Sequence, residues 1–317
     1  MLARALYNLL QVAVVIGFAP LAEGVTTRLK EIIQSRRGPS IFQPYRDLWK
    51  LLHKDEAVSD YCTWVFRVAP FVAFATPVFV TLLIPVLTRY PLEFAFMGDM
   101  LGAGFVLALG GFFTTLAAVD TGNPYGPMGA SRTRMVGFLA EPVFIVVFLT
   151  ISFVAGSTIP YIVQTRWVTP LANFFEPSHV LLMIAFLMLI LAEDGRIPVD
   201  SPSGQFELAM IDRSKGLEYS GRGAALIKWA GAMKFFVLMI VFLNVVVIPW
   251  GLAPVGTGGV QVLLAIPRVL LKIFLSILVL VYIESSLAKL RLFRITEFLG
   301  AAFIIAVVAM ITRISEI

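Results

Sequence analysis

Long apolar runs separated by short polar stretches dominate this chain. Eight runs approach or exceed the ~20 residues that a helix needs to cross a ~30 Å hydrocarbon core. They lie near Ala5–Val25, Phe66–Leu87, Leu101–Val119, Met135–Gly156, His179–Glu193, Gly223–Trp250, Gly259–Ile283 and Glu297–Ile311, the fifth and the eighth being the shortest. In hydrocarbon each backbone N–H and C=O must be bonded within its own segment, which makes such runs helices. The pattern predicts an all-α, polytopic membrane protein of about eight transmembrane helices. No repeat and no Pro-rich or Gly/Ser-rich linker divides the chain, so residues 1–317 read as a single integral membrane domain. The first run follows Arg4 as a signal peptide would. It is as long as a span, however, contains Pro20 and Glu23 and leads into a basic loop, so it reads as a retained span.

Composition agrees with the pattern and removes other classes. The chain is 59% hydrophobic and 14% charged, against roughly 45–50% and ~25% in soluble domains. Cys62 is the one cysteine, and His53 and His179 are the only histidines. No disulfide framework and no thiolate or imidazole cluster for iron–sulfur, nickel or zinc can be built from these. Any redox centres serving this protein are therefore expected on other chains.

The net charge of +5 raises nucleic acid as a partner, but the distribution of charge points to topology instead. The loops after the first, third, fifth and seventh runs carry 16 Lys and Arg, and the opposite side carries only Arg4, Arg89, Arg166 and Arg313. By the positive-inside rule the basic loops face the cytoplasm. The expectation is a multi-pass protein of the cell (inner) membrane, with both termini outside the cytoplasm and no nucleic-acid role.

The first cytoplasmic loop reads RRGPSIFQPYRDLWKLLHKDE from Arg36. Gly38-Pro39 signals a turn, and a short helix is predicted after Pro44. Tyr45, Leu48, Trp49 and Leu52 share one face; Arg46, Asp47, Lys50, His53 and Lys54 fall elsewhere. Such a helix fits the headgroup region of membrane lipid. It also fits a docking ledge for a soluble subunit, with Arg36, Arg37, Arg46, Asp47 and Lys50 as its polar contacts.

Charges inside spans are costly and default to a functional reading. At 1.5 Å per residue, Glu141 lies ~9 Å into the fourth run, Lys228 and Lys234 ~8 and ~17 Å into the sixth, and Arg268 and Lys272 ~14 and ~20 Å into the seventh. Glu193 and Glu284 close the fifth and seventh runs. Ion pairs that orient helices would account for some of these residues. Together they suggest a hydrated charged path. The loop from Ala192 to Gly223 adds Asp194, Asp200, Glu207, Asp212 and Glu218 beside Arg196, Arg213 and Arg222. Its Pro198, Pro202, Gly204 and Gly216 predict irregular backbone with a short helix near Gln205–Asp212.

These residues carry a resemblance. Glu193-x-x-Arg196-x-Pro198-x-Asp200, Glu207-Leu208 and Glu218-Tyr219-Ser220-Gly221 resemble the corresponding loop of the membrane subunit shared by respiratory complex I and membrane-bound nickel–iron hydrogenases. Arg37-Gly38-Pro39, Asp47-Leu48-x-Lys50-Leu51, Asp120-Thr121-Gly122-Asn123-Pro124, Glu141-Pro142 and Glu284-Ser285-x-Leu287-Ala288-Lys289 extend the likeness across the chain. The compact first loop is most similar to the formate hydrogenlyase subunit 4 and hydrogenase-4 component C family.

The resemblance implies a membrane-anchor and coupling subunit of a group 4 hydrogenase complex. Its implied partners are the hydrogenase large and small subunits, iron–sulfur proteins and antiporter-like membrane subunits. It holds no cofactor of its own, the iron–sulfur clusters and nickel–iron centre lying on those partners. Carried over by position, Glu141, Glu193, Asp200, Glu207 and Glu218 match the family's acidic cavity residues and Arg196 its arginine. With Lys228, Lys234, Lys272 and Glu284 they form the candidate proton or sodium path. Departures from the pattern are Ser203 and Gln205, where relatives carry acids, and Lys228, where complex I-like chains carry an acid. Two alternatives remain open at this point: a quinone-binding subunit of a complex I-like NADH/quinone oxidoreductase, and an independent ion transporter, for which no inverted repeat is visible.

Overall fold

The computed structural model describes residues 2–90, 98–166, 176–200, 211–247, 250–254 and 259–315. Ten α-helices are described among them: α1 (Leu2–Ile33), α2 (Gln43–Leu52), α3 (Trp64–Leu83), α4 (Met100–Asp120), α5 (Tyr125–Ala155), α6 (Pro160–Arg166), α7 (Pro177–Glu193), α8 (Gly221–Val241), α9 (Gly259–Ser286) and α10 (Arg294–Ser315). A 3-10 turn covers Arg213–Gly216, and α8 runs on into a π-helical segment, Phe242–Val247. The protein is an all-α polytopic membrane protein, as the apolar runs predict.

Seven helices are long and apolar enough to cross a membrane, one fewer than the eight expected. The difference is α7, which has 17 residues and a length of ~26 Å at 1.5 Å per residue. It nevertheless runs from one end of the bundle to the other. The carboxylate of Glu176, before its first residue, pairs with Arg313 near the end of α10. Beyond its last turn, Pro198 O accepts from Leu290 N–H at 2.9 Å, just before α10 begins. The two helices are antiparallel and matched at both ends. A helix this short suffices because its Leu182, Ala185, Phe186, Leu189 and Ile190 are buried among neighbouring helices.

The ends of α1 and α9 match in the parallel sense. Tyr7 lies beside Gly259, and Lys30 pairs with Glu284. That parallel pairing requires an odd number of crossings between them, which α3, α4, α5, α7 and α8 supply. Leu2 and Ser315 thus lie at one end of the bundle, the terminus end, and the basic connections lie at the other, the loop end.

Helix α8 is the central element. Of its apolar window 78% is buried, against 28–44% in the other long helices. It packs on α1 and α3, while α5 and α7 carry α10. Proline inside α1, α3, α5 and α9 (Pro20, Pro70, Pro77, Pro142, Pro267) is accommodated without ending any of them, since neighbouring helices in a bundle re-satisfy the freed carbonyls.

Candidate functional site

The C-terminus of α7 sets the centre of a charged cluster at the loop end. Gly195 takes the left-handed conformation, φ +57°, and Gly195 N–H and Arg196 N–H bond back to Ala192 O (3.3 Å) and Leu191 O (2.9 Å). This is the Schellman ending, which needs a residue free of Cβ strain at Gly195. It turns Arg196 back under the helix, where its guanidinium lies 3.8 Å over the ring of Phe235 on α8. Cation–π attraction of this kind strengthens where water is excluded.

Around that guanidinium the charges alternate. Arg196 bonds Asp194 on one side and lies 3.5 Å from Glu284 of α9 on the other. Glu284, 2% exposed, also pairs with Lys30 of α1. One residue before Asp194, Glu193 pairs with Lys234 of α8 at 2.7 Å, and the same ammonium donates to Glu193 O at 2.9 Å. Lys289 reaches Asp200 at 2.8 Å. The second oxygen of Asp200 accepts from Ile211 N–H and Asp212 N–H at 3.1 and 3.0 Å. Four cations and four carboxylates from α1, α7, α8, α9 and the adjoining loops thus balance in one region. Buried charge is tolerable on these terms, because each group has an opposite partner.

The local electrostatics follow the pairing. Burial pushes the Asp194 carboxyl up to about 6, against the opposing pull of Arg196. Burial also disfavours the charge on Arg196, but Asp194 and Glu284 outweigh it and hold the guanidinium above its ordinary value. Asp212 is desolvated too, and Lys215 at 2.6 Å holds it below the usual carboxylate range.

Glu141 reaches this region from α5. A cavity of about 40 Å³ is lined by Glu141, Glu193 and Lys234 together with Leu107, Phe144, Phe186 and Leu238. That is room for water. Among the described residues Glu141 has no ion-pair partner, so it faces the Glu193–Lys234 pair across the cavity with its charge uncommitted.

The first loop is clamped to the start of α8. Glu56 accepts from Gly223 N–H, and Ser220 Oγ both accepts from Ala57 N–H (2.8 Å) and donates to Ala57 O (3.1 Å). Tyr219 stacks on Phe66 at 4.0 Å and donates to its carbonyl. Gly221 has φ +50°, and a Cβ there would meet Asp55 O at 2.7 Å and Lys54 O at 2.8 Å. The Glu218-Tyr219-Ser220-Gly221 segment therefore works as a clasp.

The structure distributes the remaining sequence candidates. Asp47 of α2 pairs with Lys228 at 3.1 Å, both side chains more than a third exposed, so Lys228 belongs to the α2–α8 junction rather than to the buried cluster. Arg36, Arg37, Arg46 and Lys50 are exposed. Leu48 packs inward at 6% exposure, whereas Trp49, expected on the same face, is 69% exposed, with its ring tilted against that of His53. Glu218 bonds Asn123 at the α4–α5 turn, away from the cluster. Lys272 lies on the terminus side, bonded to Asn244 Oδ1 (2.6 Å) and Trp250 O (2.8 Å). Glu207 and most of the Gln205–Asp212 helix lie outside the described residues.

Three members of the cluster were not among the sequence candidates. Lys30 counted only as a loop charge, because the first apolar run stops before it while α1 continues to Ile33. Asp194 and Lys289 stood in acidic and basic loops with nothing local to mark their partners. Glu23 of α1, within electrostatic range of Lys228 and Arg196, lies between the cluster and the α2 junction. An acid seven residues from Lys30 on the same helix face was the available signal.

Comparison with known proteins identifies the family. The NADH dehydrogenase family profile matches residues 6–314. Formate hydrogenlyase subunit 4 of Escherichia coli (strain K12) is 34% identical over 312 residues, covering 98% of this chain and 99% of that protein. Hydrogenase-4 component C of the same organism is 30% identical over 311 residues, 96% of this chain and 95% of that one. A chain in the structure of the membrane-bound sulfane sulfur reductase, an archaeal respiratory membrane complex, superposes with a TM-score of 0.85 at 19% identity, covering 98% and 99% of the two chains. The chain belongs to the NADH dehydrogenase family and is a complex I subunit 1-like membrane subunit, similar to those of formate hydrogenlyase and hydrogenase-4.

Proposed function

We propose that this protein is the membrane-anchor and coupling subunit of a formate hydrogenlyase-type hydrogenase complex. It docks the hydrogenase large and small subunits and their iron–sulfur proteins, and it joins them to antiporter-like membrane subunits in the cell (inner) membrane. In this reading the metal centres belong to those partners. The loop end, with α2 and exposed Arg36, Arg37, Arg46 and Lys50, is the cytoplasmic docking face. The charged cluster starts a proton or sodium path.

The observation that carries the reading is the row of paired opposite charges formed by Lys234, Glu193, Asp194, Arg196, Glu284 and Lys30 across four helices beneath that face. A proton or cation added at one pair loosens it and changes the field at the next, because the pairs share a region of low dielectric. Glu141, facing the Glu193–Lys234 pair, is placed to accept the displaced charge. A cavity of about 40 Å³ is far below the ~300–1,000 Å³ of small-molecule sites, which favours an ion-handling role over a quinone headgroup at this position.

The test is the purified complex in sealed vesicles, with hydrogen evolution and ion uptake measured together. Because this pair is about a quarter exposed, unlike the sealed Glu284, Glu193→Gln and Lys234→Met should lower the ions moved per hydrogen while leaving the complex assembled. An unchanged ratio in both variants would count decisively against the path.

A further inference from the structure

The terminus half of the bundle contains a second polar centre that the charged cluster does not explain. After α3 the chain runs non-helical through Ile84-Pro85-Val86-Leu87-Thr88, all buried. It pairs with Ala253 through Arg89 N–H to Ala253 O and Ala253 N–H to Leu87 O, both 2.9 Å. Non-helical backbone at membrane depth persists only where something other than lipid satisfies it. Here three helices do so. Gln11 Oε1 of α1 accepts from Val86 N–H and Leu87 N–H at 3.0 and 3.1 Å. Asn244 Nδ2, presented by the π-helical segment after α8, donates to Pro85 O at 2.8 Å. Tyr161 of α6 donates to Ile84 O at 3.1 Å, its hydroxyl beside Thr88 and Gln11.

Two further amides lie one turn from these anchors. Asn8 precedes Gln11 by three residues on α1, and Gln164 follows Tyr161 by three on α6, so each shares its anchor's helix face. Asn8 is 3% and Gln164 0% exposed. Among the described residues both amide groups, nitrogen and oxygen alike, lack a hydrogen-bond partner. Two whole carboxamides buried in this way are not sustained by packing, because an unmet donor or acceptor forfeits its hydration without return. Water is the ligand that suits them, since it donates and accepts and typically makes about three bonds in such places.

We propose that Asn8, Gln11, Thr88, Tyr161 and Gln164 form a buried water-binding site in the terminus half of the bundle. Across the non-helical segment, Asn244 connects it to Lys272. If the translocation reading above holds, this water supplies the section of the path opposite the charged cluster. The site itself stands without that reading.

Hydroxyl-radical footprinting by X-ray radiolysis of the intact membrane complex tests it, because bound water is converted to radical in place and oxidises its immediate neighbours. Tyr161, 1% exposed, should be oxidised, whereas Phe236, equally buried in the helical core, should stay inert. The double variant Asn8→Leu, Gln164→Leu should lose the Tyr161 label and keep labels at exposed Tyr61 and Tyr282. Tyr161 as inert as Phe236 in the unaltered complex would overturn the proposal, and so would a Tyr161 label that survives the double substitution. Neither readout depends on ion transport, so failure of the coupling reading and failure of this site are distinguishable.

Discussion

Glu284 and Glu141 are both carboxylates on long helices of the bundle, yet the structure gives them different work. Glu284 is shared by Lys30 and Arg196 at 2% exposure. Glu284→Gln leaves two cations facing each other without their common counter-charge, and breaking a buried pair in this way costs about 3–5 kcal/mol. The expected result is loss of the subunit from purified membranes, read by immunoblot against the assembled complex. Glu141 has no such partner among the described residues, so Glu141→Gln removes a charge without stranding one. That variant should assemble at the ordinary level and fail in coupling, read as fewer ions taken up per hydrogen evolved. Equal loss of assembly in both would mean that Glu141 is a structural residue.

At the scale of elements, α2 connects the exposed face to the interior. Its Leu48 is buried and its Asp47 holds Lys228 on the central helix, while Arg46, Lys50 and Trp49 point outward. The spacing of Tyr45, Leu48, Trp49 and Leu52 predicted the helix and put the four on one face; of these Leu48 is the buried one, while Trp49 is exposed. Charge reversal at Arg46 and Lys50 changes only outward groups and leaves the Asp47–Lys228 pair intact. The double variant Arg46→Glu, Lys50→Glu should therefore keep the membrane subunit in place and release the peripheral subunits. Co-purification in rising salt measures this, and the weakened interface should dissociate at lower ionic strength than the unaltered one. The Glu218-Tyr219-Ser220-Gly221 motif belongs to the same scale. Its likeness to relatives was readable in the sequence, but its job of clasping the first loop through Ala57, Glu56 and Phe66 was not, because those partners lie more than 150 residues away.

For the whole molecule, the number of crossings decides whether the two termini share a side of the membrane. Parallel α1 and α9 and end-matched α7 and α10 give eight crossings and put Leu2 and Ser315 at the same end. With the basic loops inside, a membrane-impermeant maleimide should label Cys62 only after the cytoplasmic face is opened. In a Cys62→Ser background, Ser315→Cys should be labelled from the outside of intact cells; labelling of both from one side would refute this topology. The all-α class, the spans and the surplus of charges at one end were legible in the sequence. Apolar run length and loop charge are local quantities, and the bilayer acts on them directly. The pairing of those charges was not legible. Helical rise gives the depth of Lys234 or Lys272 along its own axis and says nothing of which neighbour stands beside it. Packing placed Lys234 against Glu193, moved Lys228 out to Asp47 and carried Lys272 across to Asn244. It also made a 17-residue helix a full crossing, because α7 is bounded by α5 and α10. Sequence by itself determined what kind of solvent surrounds this chain and where its charges are affordable. Tertiary structure alone decided which charges meet, since that depends on contacts between segments far apart in the chain.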